Sequence, residues 1–186
     1  MALSKMIFAQ QNNLHDFNLQ KKAINQRGFM VLGSWSAANI IYGSIASGKA
    51  EGSNKYFHQM NAMWNAVTLG IVTFGYVSGR KNKFLNFSES LKQQSAVEKL
   101  FLLNAGLDVA YIAGGLYLLE KSKTDPNHAD RNKGFGNSII LQGSVLLVFD
   151  AILFGIHQQH GKQLYKLAEK VEVATTENGV GVVLKL

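Results

Sequence analysis

The chain has 186 residues, of which 47% are hydrophobic, and it contains one Pro and no Cys. Its 19 Lys and Arg and 12 Asp and Glu residues are unevenly distributed, because four long stretches hold only two charges between them. These stretches are 28–48, 56–79, 100–119 and 134–161. A bilayer span needs roughly 20 predominantly apolar residues. The pattern therefore excludes an ordinary soluble domain and predicts four transmembrane helices.

The net charge of +7 does not indicate nucleic-acid binding, because the basic residues flank the apolar stretches. Anionic lipid headgroups are the expected partner. The absence of Cys excludes disulfides and thiolate metal sites. No phosphate-binding Gly loop, nucleophile elbow or HExxH zinc motif is present, so we predict no enzyme activity, catalytic residue, metal or cofactor. His157 and His160 have chelating spacing, but without a third ligand nearby they are interpreted as interfacial histidines.

The chain divides into three predicted segments. Residues 1–27 have apolar side chains at helical spacing and several basic residues, which is typical of an amphipathic helix lying among headgroups, although a frayed polar leader stays open. Residues 28–161 form the predicted four-helix bundle. Residues 162–186 are predicted to continue as a short polar helix and then a small β-hairpin.

The hairpin prediction rests on Asn178-Gly179, the dipeptide preferred in a two-residue type I′ turn. Pairing around this turn sets Glu172 beside Lys185 and Val173 opposite Leu184, so that one face is largely apolar. A lone hairpin is marginal in water, and we therefore expect its apolar face to pack on helix ends, lipid or a partner protein. The predicted fold class is thus an all-α integral membrane bundle with an N-terminal amphipathic helix and a C-terminal β-hairpin.

The basic residues also predict the orientation of the chain. Thirteen of the 19 Lys and Arg residues lie in the N-terminal segment, the second loop or the tail. Lys and Arg are enriched on the cytoplasmic side of membrane proteins. We therefore expect a multi-pass protein of the cell inner membrane with both termini in the cytoplasm.

Small residues predict where the helices pack, because they let helix backbones approach each other in lipid. One such row lies on the second stretch (Ala62, Ala66, Gly70) and another on the third (Gly106, Ala110, Gly114). The fourth stretch is rich in Leu, Val and Phe, and it is predicted to face lipid or a partner over much of its circumference.

Each stretch also carries polar residues on one helical face. Polar groups cannot face lipid without a large cost, so the four faces are expected to converge on a shared interior. The structural interpretation of these polar residues is interhelical hydrogen bonding, and the functional interpretation is an intramembrane polar site. The candidate residues are Asn39, Asn61, Asn65, Asn104, Asp108, Gln142 and Asp150.

Asp108 and Asp150 are the strongest candidates, because no Lys or Arg in the four stretches neutralises them. With cytoplasmic termini, both lie roughly 10 to 13 Å inside the same surface at about 1.5 Å per residue. Two carboxyls at one depth are expected to share a proton, hold a cation or face a water-filled cavity. Asn39 and Asn104 are their predicted hydrogen-bond donors.

Four segments resemble an uncharacterised family of small four-span inner-membrane proteins from Bacteroidota, a domain of unknown function. They are FMVLGSWSAAN at 29–39, HQMNAMWN at 58–65, GNSIILQG at 136–143 and LLVFD at 146–150. The resemblance implies the four-span topology and a Gram-negative inner membrane. It implies no activity and no catalytic residues.

Two functions are compatible with these observations. The leading hypothesis is a non-enzymatic structural or accessory component that acts through membrane and protein contacts, with the hairpin or the fourth span as its contact surface. The alternative is a small proton- or cation-coupled carrier or channel that uses Asp108 and Asp150. A cavity beside the two carboxyls would favour the second. The sequence does not determine the oligomeric state.

Overall fold

The computed structural model describes residues 2–80, 85–169, 171–176 and 179–184. Most of this part of the chain is helical. The helices are α1 (Ala2–Ser47), α2 (Gly52–Ser78), α3 (Phe87–Thr124) and α4 (Ala129–Glu169). A short 3-10 turn (Pro126–His128) joins α3 to α4, and the strands β1 (Val171–Thr176) and β2 (Gly179–Leu184) follow α4.

Local sequence signals explain several helix ends. Gly52 begins α2 with a φ of +56°, a conformation that favours glycine. α3 begins with a capping box, in which the Asn86 side chain accepts from the Glu89 N–H at 2.9 Å and the Glu89 carboxylate accepts from the Asn86 N–H at 3.0 Å. α3 ends where Pro126 follows Asp125, because the residue before a proline disfavours the helical conformation.

α4 is the central helix of the bundle. It packs along both α2 and α3, whereas α1 packs mainly on α2 and only lightly on α3 and α4. The backbones of α2 and α3 do not approach each other in the described part of the chain, so a cleft remains between them. The fourth stretch, predicted to face lipid or a partner over much of its circumference, thus also packs along two neighbouring helices.

Glycines explain how α4 reaches this position. A Cβ on Gly115 of α3 would lie 2.8 Å from the carbonyl oxygen of Gly136, and a Cβ on Gly136 would lie 2.7 Å from that of Gly115. Only a residue without a side chain allows so close a backbone contact. In contrast, a Cβ on Gly70, Gly106 or Gly114 would meet no atom within 4 Å. These glycines of the predicted packing rows thus lie away from the helix contacts.

The helices have unequal lengths, and this gives the bundle one extended end. α2 ends at Ser78, while the first half of α1, the start of α3 and the end of α4 continue past it. Phe17 of α1 stacks on His160 of α4 with ring centroids 4.1 Å apart, and Phe17 and Leu164 are fully buried. α1 runs through position 27 without a break, so the amphipathic segment predicted over residues 1–27 continues directly into the first apolar stretch.

The predicted C-terminal β-hairpin also needs correction. β1 and β2 are antiparallel, but Glu172 is opposite Val183 and Thr176 is paired with Gly179, so the turn cannot lie at Asn178-Gly179. The predicted partner Lys185 lies outside the described residues. Apart from each other, the described strand residues contact only the end of α4. The fold class is therefore an all-α bundle, and a β-hairpin packed on the helix ends is not part of it.

Three helical stretches are long and apolar enough to cross a membrane, namely Gln11–Ser47, Phe87–Thr124 and Pro126–Leu167. In the described part of the chain, α2 does not reach the same apolarity, since polar side chains such as Asn61 and Asn65 lower its hydropathy. Both of these side chains are buried against other helices. The predicted span in α2 thus differs from the other three in composition.

Candidate functional site

The predicted polar residues form two separate clusters. The first, the amide cluster, joins α1, α2 and α4. Asn61 donates to Asn39 Oδ1 at 2.8 Å and accepts from the Gln142 amide, whose oxygen in turn accepts from the Trp35 indole N–H at 3.2 Å. Asn65 donates to the Asn61 carbonyl oxygen at 2.8 Å. These are the interhelical hydrogen bonds that the structural interpretation predicts.

The second cluster is the carboxyl pair of Asp108 on α3 and Asp150 on α4. The two side chains are neighbours, and they are only 3% and 5% exposed. Among the described residues, the buried Asp108 Oδ2 has no hydrogen-bond partner.

The carboxyl pair lies on the wall of a cavity of about 400 Å³, which we name the acidic cavity. It occupies the cleft between α2 and α3, with α4 behind it. No Lys or Arg is among its described lining residues. The lining consists of Leu32, Trp64, Val67, Thr68, Ile71, Val72, Asn104, Leu107, Asp108, Tyr111, Leu146 and Asp150.

The acidic cavity opens to the side of the bundle. Val67 and Ile71 on its α2 wall are 66% and 67% exposed, so this wall continues directly into the apolar outer surface. Trp64 and Tyr111 meet edge to face across the cleft, with ring centroids 4.8 Å apart. The cavity therefore combines apolar walls, an aromatic pair and two carboxyls.

The two predicted donors to the carboxyls have different positions. Asn104 lines the acidic cavity one turn before Asp108. Asn39 instead belongs to the amide cluster, where its side chain is bonded to Asn61 and to the Trp35 carbonyl oxygen. Sequence reasoning did not single out Trp64 as a site residue. The available signal was its place in the string HQMNAMWN, one residue before a polar position on α2.

The two histidines predicted to be interfacial are buried at the extended end. His157 is 0% exposed and stacks on Phe101 with ring centroids 5.4 Å apart, and neither of its ring nitrogens has a hydrogen-bond partner in the described part of the chain. His160 is bonded through Nε2 to the Phe17 carbonyl oxygen at 3.0 Å. Among the described residues, no group of three or more His, Asp or Glu side chains is placed to hold a metal ion.

The helices define the class of the protein: a helical bundle with helices that are apolar and long enough for a membrane. The chain belongs to a family of unknown function, DUF6992, which it matches over residues 31–151. This match contains both Asp108 and Asp150. No curated protein and no solved structure matches the chain.

Proposed function

We propose that the protein is a membrane-embedded binding protein for a cationic amphiphile. The carboxyl pair holds the charged group, and the cleft between α2 and α3 holds the apolar part. The observation that carries the proposal is that two buried carboxyls, unneutralised by any described Lys or Arg of the lining, lie together on a cavity that opens sideways between apolar walls.

Charge and hydrogen bonding favour an ammonium group as the guest. A single ammonium neutralises one carboxylate of the pair, and its N–H groups donate to the carboxyl oxygens. Trp64 and Tyr111 at the same cavity add attraction between a cation and their rings. Two carboxyls alone are too few ligands for most metal ions.

The lateral opening explains why the guest is expected to be amphiphilic. The exposed side chains Val67, Ile71 and Leu107 border the cavity at the surface that would face lipid. A guest with an alkyl chain replaces lipid tails along these walls and brings its charged group to the carboxyls. A strongly hydrated ion would have to lose its water shell on the same path.

A carrier is the second candidate, because a carboxyl pair that exchanges a proton for a cation can couple two fluxes. The position of Asp108 and Asp150 on the wall of one cavity favours it over an arrangement with distant carboxyls. An accessory role through the fourth span has less support, since α4 is the central helix. Once binding has been measured, flux in proteoliposomes distinguishes a carrier from a protein that only binds its guest.

Binding is tested on the purified full-length protein at a fixed concentration of nonionic detergent. Decylammonium is titrated and followed by the fluorescence of Trp64, and decanol serves as the uncharged comparison. We expect Asp108→Asn and Asp150→Asn to weaken decylammonium binding about 10-fold or more, the size of a lost charge-assisted hydrogen bond. Asp130→Asn, an exposed carboxylate at the start of α4, is the matched control and should bind like the wild type.

Two outcomes would contradict the proposal. One is equal affinity for decylammonium and decanol. The other is equal binding by the Asp108→Asn, Asp150→Asn and Asp130→Asn variants. Either result would leave the carboxyl pair with the structural role of the amide cluster.

We also propose that α2 crosses the membrane as well, so that the protein has four spans in the inner membrane and cytoplasmic termini. The 27 residues of α2 are about 40 Å long at 1.5 Å per residue, and Met63, Val67, Ile71 and Phe74 expose an apolar face. The orientation is supported by the excess of Lys and Arg at the extended end. Reporter fusions after Ser53 and after Lys83 should lie in the periplasm and the cytoplasm, respectively. Two fusions on the same side of the membrane would overturn the proposal that α2 spans it.

A further inference from the structure

A second cavity of about 400 Å³ lies at the extended end, under the last turn of α2; we name it the basic cavity. Gly75, Ser78 and Gly79 of α2 form one wall, and the first half of α1 and the start of α3 form the others. It shares no lining residue with the acidic cavity.

The basic cavity contains a deeply buried cationic side chain, Lys21. Lys21 and Lys22 line it together with His15, and none of its described lining residues is acidic. Lys21 is only 5% exposed, and its ammonium donates to Gln93 Oε1 at 3.1 Å. In the described part of the chain, Lys21 forms no ion pair. A buried charge without a counterion is costly, so this lysine is placed where an anion would stabilise it.

The depth of the basic cavity indicates which anion. Phe29 and Gly75 line its inner side, and they lie at the ends of the charge-free stretches 28–48 and 56–79. This is the level at which apolar helix surface gives way to charged residues, as at the headgroups of a bilayer. Apolar side chains of Leu19 and Leu85 also line the cavity, beside the lysines. A free anion would gain nothing from these apolar contacts, whereas a lipid places its glycerol and upper acyl chains there.

We propose that the basic cavity binds the phosphate of an anionic phospholipid headgroup, with Lys21 as the main contact and Lys22 as the second. The lipid phosphate accepts from the Lys21 ammonium, while Asn25 and Gln26 on the same wall offer amide donors to the headgroup. Pockets of this kind between helices at a membrane surface suit anionic lipids. The site is independent of the guest proposed for the acidic cavity.

The test uses the purified full-length protein in nonionic detergent. Native mass spectrometry counts the bound lipids, and thermal unfolding reports their effect, with phosphatidylglycerol, phosphatidylcholine or inorganic phosphate added in turn. We expect phosphatidylglycerol to bind and raise the unfolding midpoint more than phosphatidylcholine does. Lys21→Gln should weaken phosphatidylglycerol binding about 10-fold or more. Lys99→Gln, which removes an exposed charge at the same end of the bundle, should not.

Lys22→Gln keeps the test decisive if Lys21→Gln does not fold, because Lys22 is only half-buried; it should weaken binding in the same direction. Equal binding of phosphatidylglycerol and phosphatidylcholine would overturn the proposal. So would equal losses in Lys22→Gln and Lys99→Gln. If millimolar inorganic phosphate competes fully with phosphatidylglycerol and gives the same stabilisation, the site binds a free anion and the lipid proposal fails.

Discussion

The acidic and basic cavities have the same volume, about 400 Å³, but opposite charge and different surroundings. The acidic cavity lies beside the long contact of α3 with α4, and its walls are mostly apolar. The basic cavity lies where α2 ends, and amide side chains surround its lysines. The carboxyl pair in one cavity and Lys21 in the other are buried, and neither has a described ion-pair partner, which folding alone does not favour.

The two cavities depend on different parts of the helix packing. The carboxyl pair is held together because α3 and α4 approach each other closely at glycines. The basic cavity depends on where α2 stops and where α3 starts. A substitution at one of these features should therefore affect one cavity and leave the other intact.

The largest expected effect is that of Gly115→Leu, which forces a side chain against the Gly136 carbonyl oxygen. Overpacking of this kind costs about 1 to 3 kcal/mol of unfolding free energy. Asp108 lies two turns away on α3, so decylammonium binding should fall as well, whereas the lipid response at the distant start of α3 should persist. Chemical unfolding in detergent measures the first effect. Gly106→Leu is the control, because a Cβ there meets no atom within 4 Å, and a similar loss in it would refute the contact.

Trp64→Leu should have the next largest effect. It removes the edge-to-face contact with Tyr111, which is worth about 0.5 to 1.5 kcal/mol beyond the buried area. The mouth of the acidic cavity then widens, and we expect weaker discrimination between decylammonium and longer alkylammonium ions in competition experiments. Tyr111→Phe keeps both rings and should behave like the wild type. If Trp64→Leu leaves the unfolding free energy unchanged, the aromatic pair does not hold α2 near α3.

Asn86→Ala tests whether the first turn of α3 contributes to lipid binding in the basic cavity. The substitution removes the capping box that begins α3 and should cost about 1 kcal/mol. Hydrogen exchange should accelerate in the first turn of α3, and phosphatidylglycerol binding should weaken while decylammonium binding stays the same. Asn86→Ser retains a capping side chain and should restore both readings. Equal exchange rates in the alanine variant and the wild type would show that the cap does not order this turn.

The smallest expected effect has the opposite sign. Lys21→Met replaces a buried charge by an apolar side chain of similar length, so in lipid-free detergent the unfolding free energy should stay constant or rise by less than about 1 kcal/mol. The stabilisation by phosphatidylglycerol should disappear at the same time. A large loss of stability without lipid would show that Lys21 is mainly a structural residue through its bond to Gln93.

Much of the helical architecture follows from the sequence. The uneven distribution of charge identifies the four apolar stretches, because unpaired charges are costly in an apolar environment. The helical spacing of the polar residues brings Asp108 and Asp150 to one interior, and a depth argument along the two helices anticipates that they meet. These inferences need only the rise and the period of a helix.

Three features depend on contacts that the sequence does not specify. Gly70, Gly106 and Gly115 look alike in the sequence, yet only Gly115 meets a neighbouring backbone, and this decides that α4 is central. Asn39 is on the expected face but is bonded to Asn61 rather than to a carboxyl. In the C-terminal strands, the Asn178-Gly179 signal did not determine the register, because local turn preference competes with alternative pairings when no core fixes the strands.

The early end of α2 has a geometric consequence for the basic cavity. At Ser78 the number of helices around the bundle falls from four to three, and the cavity occupies the position that the next turn of α2 would fill. Its size is thus determined by helix length rather than by the choice of lining side chains. Inserting four residues after Ser78, about one turn or roughly 5 to 6 Å of helix, would fill the space with backbone while every lining lysine and amide stays in the sequence.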